Sequence, residues 1–208
     1  MTVPVAGVIL AAGASLRMEG DIVKQLLPWG DTTMVGAVVA AAEASRLDRI
    51  VVVVGHRASE VEASLPGGRR IVATNPDYRA GNLSSFRTGI AALGEPEAVM
   101  VLLGDMPSVG PGIIDRMLDV WEASRPWAAV AEYRHATRHP LLLSAEAVAG
   151  IDPAAGGKAL WRLIEEAAPG AVRRVQFNLS PPPDVNTLAD YRAALGRAGG
   201  RARRHGPA

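Results

Sequence analysis

A run of small residues and two cations follow directly on the first apolar segment. Val5–Leu10 gives way to Ala11, Ala12, Gly13, Ala14 and Ser15, and then to Arg17 and Lys24. Side chains this small let backbone N–H groups approach an anion closely, as in glycine-rich phosphate loops. Arg17 offers a planar fork for phosphate oxygens, and Lys24 a mobile point charge. The chemistry this suggests is a polyphosphate clasped at the end of a strand. The competing reading is an ordinary strand–helix turn with solvated charges. Two better-known phosphate loops fail: Gly20 is followed by Asp21 where a Walker A loop needs lysine, and Gly13 and Gly20 alone do not make a dinucleotide fingerprint.

A second candidate group is acidic. Asp105 follows the apolar run Ala98–Leu103 through Gly104, and Pro107 bars a helix from starting at once. A lone carboxylate there suits Mg2+, which in nucleotide sites takes one or two oxygens from protein and the rest from phosphate and water. A second ligand would arrive from the far end of the chain, as Asn186 or Asp184. As a plain turn residue, Asp105 would instead cap the following helix.

These groups need a scaffold that brings strand ends together. Val5–Leu10, Ile50–Val54, residues 70–74 and Ala98–Leu103 read as short, buried strands. Helices are expected between them at 32–47, 59–65 and 84–93, with Thr32 or Thr33 and the serines Ser84 and Ser85 as caps. Pro111–Ser124 reads as a helix with proline in its first turn. Beyond it come strands at Ala128–Tyr133, 140–143 and Val172–Phe177, a helix at 156–166, and a last helix opened by the Thr187–Asp190 capping pair. Alternating strands and helices predict an α/β fold: a Rossmann-like, doubly wound, mostly parallel sheet flanked by helices. Such sheets bind ligands beyond the carboxyl ends of their strands, here after Leu10, Val54, Thr74 and Leu103. Residues 1–195 are expected to form one domain, and 196–208, rich in Gly and Arg, a flexible basic tail.

Composition narrows the function classes. The chain has 208 residues, 49% of them hydrophobic, and no cysteine. That is enough for a real core, and it removes disulfides, thiolate metal sites and a cysteine nucleophile. A net charge of +1 gives no general pull on nucleic acid. Every apolar run is far shorter than the roughly 20 residues that span a bilayer, and the amino terminus lacks a basic leader region. A cytoplasmic, unprocessed protein is expected.

The motifs, taken in order, resemble the MobA-like nucleotidyltransferases. Leu10-Ala11-Ala12-Gly13-Ala14-Ser15-Leu16-Arg17-Met18, then Lys24 and Leu26-Leu27-Pro28, are similar to that family's opening loop. Asn75-Pro76-Asp77-Tyr78, Gly81 and Ser84-Ser85-Phe86-Arg87 resemble its second segment, and Gly104-Asp105-Met106-Pro107 its Gly-Asp-x-Pro signature. His139-Pro140 and Asp184-Val185-Asn186-Thr187 complete the series. The resemblance implies a nucleotide-diphospho-sugar-transferase-like fold. It implies catalytic roles for Arg17, Lys24 and Asp105, and nucleotide contacts from Leu10, Ala11, Ala12, Gly13, Ser15, Asn75, Ser84, Ser85 and Gly104. It places Mg2+ on Asp105 and Asn186, and the acceptor against His139 and Lys158. Ala12, where the guanylyltransferase branch carries glycine, resembles the cytidylyltransferase branch. One departure stands out: Arg17 and Lys24 are farther apart than usual, with Glu19 and Asp21 between them.

The reaction so implied moves CMP from CTP to a phosphorylated small molecule, molybdopterin first among them, and releases pyrophosphate. A molybdoenzyme would be the protein partner that receives the finished cofactor. Two rival readings stay open. One is an NAD(P)H-dependent oxidoreductase of the nicotine blue oxidoreductase type, in which Arg57 would meet a 2′-phosphate. The other is a non-catalytic nucleotide-binding protein. Ser84 and Ser85 also fit plain helix caps, and His139 also fits a buried structural histidine.

Overall fold

The computed structural model describes residues 4–15, 18, 22–134, 136–152, 156 and 159–202, with side chains to residue 197. The apolar run Val5–Leu10 forms β1, and each of its residues is buried. A strand hidden on both faces belongs inside a parallel sheet. β1 accordingly pairs in parallel with β4 (Ile50–Val54) on one side and β6 (Ala98–Leu103) on the other. β5 (Ile71–Thr74) lies beyond β4, also parallel. From β6 the chain skips one place to β7 (Ala128–Tyr133), then returns antiparallel as β8 (Ala136–Ser144) to fill the gap. β9 (Val172–Phe177) runs parallel to β7 along the far edge. The seven-stranded order is β5-β4-β1-β6-β8-β7-β9, with β2 (Pro28–Trp29) and β3 (Thr32–Thr33) forming a separate hairpin. The fold is the mostly parallel, doubly wound α/β sheet expected, and β8 supplies the antiparallel element.

Alternation along β1 sends neighbouring side chains to opposite faces. Val5 and Ile9 join a core with α1 (Met34–Glu43) and α4 (Pro111–Ser124), through Val35, Val38, Met117 and Trp121. Ala6, Val8 and Leu10 join a second core with α3 (Asn82–Leu93) and α6 (Ala159–Glu165), through Phe86, Leu93 and Leu160. Thr33 caps α1: its hydroxyl accepts from the Gly36 N–H at 3.1 Å, a bond worth about 1 kcal/mol. The helix ends at Glu43 rather than near residue 47; the Arg46 backbone N–H bonds Asp115 Oδ1 at 2.9 Å instead of a helical carbonyl, and its guanidinium pairs with Asp119 and Glu122 on α4. Two short helices, α2 (Ala58–Ala63) and α5 (Ala145–Ala149), complete the flanks.

A smaller third core decides where the end of the chain lies. Val185 and Ala194 pack with Met18 and Met34, against Trp29 and Tyr191. α7 (Leu188–Ala202) starts with a reciprocal capping box. The Thr187 N–H donates to Asp190 Oδ2 at 2.9 Å, and the Asp190 N–H to Thr187 Oγ1 at 3.1 Å. Tyr191 then donates to the Pro28 carbonyl, fixing α7 on the β2–β3 hairpin. The expected tail boundary at residue 196 falls inside this helix, and residues 203–208 lie outside the described residues. Among the described residues, no helix is long and apolar enough to cross a membrane.

Candidate active site

The sheet changes direction between β1 and β6: the chain runs outward from β1 through β4 to β5, then returns to β6 on the other side. Open α/β sheets bind ligands at that point, outside the carboxyl ends of the strands. A cavity of about 900 Å³ opens there. Leu10, Gly13, Ser15, Lys24 and Gln25 line it from the first loop, and Leu103 and Asp105 from the end of β6. Of the four strand ends expected to border a ligand, those at Leu10 and Leu103 line the cavity, and Val54 and Thr74 do not.

Three residues expected to act together do meet. The Lys24 ammonium bonds Asp105 Oδ2 and donates at 3.5 Å to Asn186 Oδ1, across sequence separations of 81 and 162. Both partners of the ion pair are largely withdrawn from water, at 13% and 17% exposure. Each comes from a different element: Lys24 from the short 3₁₀ turn Lys24–Leu26, Asp105 from the turn after β6, Asn186 from the segment seated by the third core. A carboxylate and a carboxamide oxygen thus converge on one positive charge. This donor set fits a hard divalent ion such as Mg2+ or Mn2+, with phosphate and water as its remaining ligands. Among the described residues, no group of three or more His, Cys, Asp or Glu could hold a metal by itself.

The loop that follows β1 is held from beneath. Ser15 has φ +54°, the left-handed region that residues with a Cβ rarely adopt. Its hydroxyl donates to Gln25 Oε1 at 3.2 Å and accepts the Lys24 N–H at 3.0 Å, while Gln25 Nε2 donates to the Gly13 carbonyl at 3.2 Å. Among the described residues, a Cβ at Gly13 would meet only Gln25 Nε2, at 3.8 Å. Among the described residues, none accepts a hydrogen bond from the N–H groups of Gly13 or Ser15. Arg17 and the intervening Glu19 and Asp21 lie outside the described residues.

The far wall of the cavity is built by β8 and α6. His139 is buried, lines the cavity, and meets Trp161 edge-on with ring centroids 5.3 Å apart. Burial pushes its imidazole down to about 4 from 6.5; the nearby Asp105 charge opposes the shift and Arg138 adds to it. His139 is therefore neutral at pH 7. Thr137, Arg138, Glu165 and Asp184 complete this wall. Arg138 Nε lies 3.9 Å from Asp184 Oδ2. Burial, and then the charge of Asp105, raises the Asp184 carboxyl above its usual range, with Arg138 and Lys24 opposing. Lys158, expected beside the acceptor, lies outside the described residues.

Other expected contacts turn inward. Asn75 Nδ2 donates to Ser84 Oγ and Ser85 Oγ, both at 3.0 Å, and the three form a network beside the cavity lining rather than on it. α3 starts at Asn82, so the serines sit in its first turn and make no capping bond; Asn82 itself reaches the cavity. Ala11 and Ala12 are buried beneath the loop. Gly104 is small because a Cβ there would stand 3.0 Å from the Ala11 Cβ, and Gly55 because one there would stand 2.9 Å from the Ala12 Cβ. These positions shape the crevice by letting its strand ends close up. Arg57, the candidate for a 2′-phosphate, pairs with Glu60 and does not line the cavity. No motif in the sequence marks Gln25, Asn82, Thr137, Arg138, Trp161 or Glu165 as lining the cavity. Only the adjacency of Gln25 to Lys24 offered a signal.

A family model for the MobA-like NTP transferase domain matches residues 7–175. The chain belongs to that family. As a MobA-like NTP transferase domain it is similar, at 31% identity and a TM-score of 0.84, to the Mycobacterium sp. strain JC1 homologue of Rv0371c, with 94% of this chain and 96% of that one covered. Rv0371c of Mycobacterium tuberculosis H37Rv, crystallised in complex with manganese, is 30% identical over 93% of this chain and 98% of its own, with a TM-score of 0.77. A nucleotidyl transferase from Methanothermobacter is 25% identical over 93% and 97% of the two chains, with a TM-score of 0.79. The bifunctional GlmU protein of Geobacter metallireducens is 32% identical over 120 residues, 57% of this chain. The chain spans only about a quarter of the length of the curated relatives it matches. Asn186 lies beyond the stretch the family model matches, so its place at the site rests on geometry.

Proposed function

We propose that this MobA-like domain transfers CMP from CTP to a phosphorylated small molecule, with molybdopterin as the leading acceptor and Mg2+ or Mn2+ as the metal. The observation that carries the reading is the convergence of Lys24, Asp105 and Asn186 at the β1–β6 crevice, with a roomy second wall facing them. The acceptor phosphate is its own nucleophile, because the second ionisation of a monoester lies near pH 6. One bond forms, from the acceptor phosphate oxygen to the α-phosphorus; one breaks, from that phosphorus to the bridging oxygen; pyrophosphate leaves with the electron pair. No protein nucleophile and no proton donor is required, and a neutral His139 matches that need. Catalysis is then alignment and charge neutralisation.

The N–H groups of the Gly13–Ser15 loop would receive triphosphate oxygens, with Arg17 adding a second cation. Lys24 would exchange its bond to Asp105 for the phosphates and neutralise charge building on the departing pyrophosphate. A divalent ion on Asp105 and Asn186 would supply further charge neutralisation at the phosphates. His139, Trp161 and Arg138 would hold the acceptor, with Lys158 beside them. The preference for CTP rests on Ala12 alone. Assaying pyrophosphate release from CTP, GTP, ATP and UTP with Mg2+ or Mn2+ and a panel of phosphorylated acceptors tests the reading. Release with CTP that depends on both metal and acceptor is expected. Nucleotide binding without release under every combination would reduce the chain to a binding protein, and quenching of NADPH fluorescence on binding would favour an oxidoreductase.

A further inference from the structure

We infer that Gln25 is a positioning residue for the nucleotide site: its carboxamide presets the phosphate loop in its anion-binding shape and ties that loop to Lys24. The inference rests on the nucleotidyltransferase reading only for its effect on CTP. Gln25 is 3% exposed, and its side chain makes one bond of each polarity. Its Nε2 donates to the Gly13 carbonyl and its Oε1 accepts from the Ser15 hydroxyl. Ser15 has one hydroxyl proton, and that goes to Gln25; its oxygen then accepts from the Lys24 backbone N–H. The three bonds close a loop through both halves of the clasp, the backbone floor on one side and the lysine on the other.

The chemistry leaves little choice of residue. The position must donate to a carbonyl and accept from a hydroxyl at once, which among uncharged side chains of this length only a glutamine amide does. A glutamate would accept but not donate, would face the Gly13 carbonyl with like charge, and would place an anion under a triphosphate. A leucine or methionine would remove the bonds that hold the Gly13 carbonyl and the Ser15 hydroxyl in place. The left-handed Ser15 makes the support necessary, since an L-residue relaxes from that conformation unless its surroundings hold it. Without the amide, Ser15 is free to relax toward extended backbone, and the N–H groups of residues 13–15 lose their fixed placement. Binding must then reorganise the loop, and affinity falls without any lost contact to the nucleotide.

The test uses the full chain with Gln25→Met, and Gln25→Glu as a second variant that keeps the side chain's shape. Backbone amide exchange in the nucleotide-free protein should quicken about tenfold over residues 11–16 in both variants and stay unchanged in the central strands. CTP affinity, measured by calorimetry with Mg2+, should fall about tenfold in Gln25→Met and further in Gln25→Glu. At saturating acceptor, KM for CTP should rise accordingly while kcat changes less than threefold. Ser15→Ala should weaken CTP binding in a wild-type background but add nothing to Gln25→Met, because both act through one network. Unchanged loop exchange overturns the inference, and so does faster exchange spread over the whole sheet or a loss confined to kcat. If the wild-type protein does not bind CTP, the proposed function falls, while loop exchange still decides the role of Gln25.

Discussion

Lys24 and Arg46 each sit among several oxygens, yet the two clusters do different work. At the rim of the sheet, Lys24 meets Asp105 and Asn186, drawn from three distant parts of the chain and largely shielded from water. On the outer surface, Arg46 is 43% exposed and pairs with Asp119 and with Glu122 at 3.0 Å, two carboxylates one turn apart on α4. The outer cluster is a staple between a loop and a helix; water and salt screen it, and exposed pairs of this kind contribute little. The rim cluster borders the cavity, where a low dielectric strengthens each charge and makes an unpaired one costly. Location, not residue type, separates a surface tether from a shielded cluster at the rim of a cavity. His139 shows the same rule from the other side. It is more deeply buried than the rim pair and, among the described residues, no carboxylate bonds it, so it stays neutral instead of paired.

Four measurements press on this contrast. The largest effect is expected from Asp105→Ala, which should cut metal-dependent pyrophosphate release about 10²–10³-fold while far-UV dichroism stays unchanged. Wild-type turnover in that variant would make the rim cluster another tether. Next comes the pH dependence of stability from His139. Its folded value is lowered to about 4, so between that pH and about 6.5 the unfolded chain binds the proton more tightly. The contribution is fully present above pH 6.5 and is lost as pH falls toward 4, by on the order of 3 kcal/mol. Urea unfolding at pH 7 and 4.5 should show that slope in the wild-type chain and a shallower one in His139→Gln; equal slopes would mean the imidazole is charged in the fold.

Lys24→Met should weaken CTP binding about tenfold, the effect of losing one partly screened charge. The same variant should bind Mn2+ more tightly than the wild-type chain when no nucleotide is present, because the ammonium no longer competes for Asp105 and Asn186. Mn2+ titration reads this directly, and unchanged or weaker binding would detach Lys24 from the metal's donors. The smallest effect is expected from Arg46→Ala: under about 1 kcal/mol in urea unfolding and no change in turnover. A larger loss there would erase the distinction between the two clusters.

The strands at β1, β4 and β6 were legible because two-sided burial leaves uninterrupted apolar runs, and a run of that kind in a short segment has few alternatives. α1 and α3 were harder at their ends. Thr33 caps α1 as its type suggests, but the last turn depends on what Arg46 reaches across space. α3 begins two residues before its serines, at Asn82 after Gly81, and the two hydroxyls bond Asn75 instead of capping the helix. Among the site residues, Lys24 and Asp105 follow directly on buried strands or loops and were visible for that reason. Thr137, Arg138, Trp161 and Glu165 follow nothing distinctive. They reach the cavity only because β8 inserts between β6 and β7 and brings its first half, and α6, over the crevice.

What the linear chain determined by itself was local: which segments bury both faces, where small residues free the backbone for an anion, and which carboxylate closes a strand. Those properties depend on neighbours within a few residues. The tertiary structure alone decided which distant groups share a point in space. Asn186 meets Lys24 because the third core and the capped α7 seat the chain's end on the β2–β3 hairpin. Gln25 supports the loop because a turn ten residues on folds back beneath it. Such contacts are set by packing and by the direction of each strand, and no spacing along the chain encodes either.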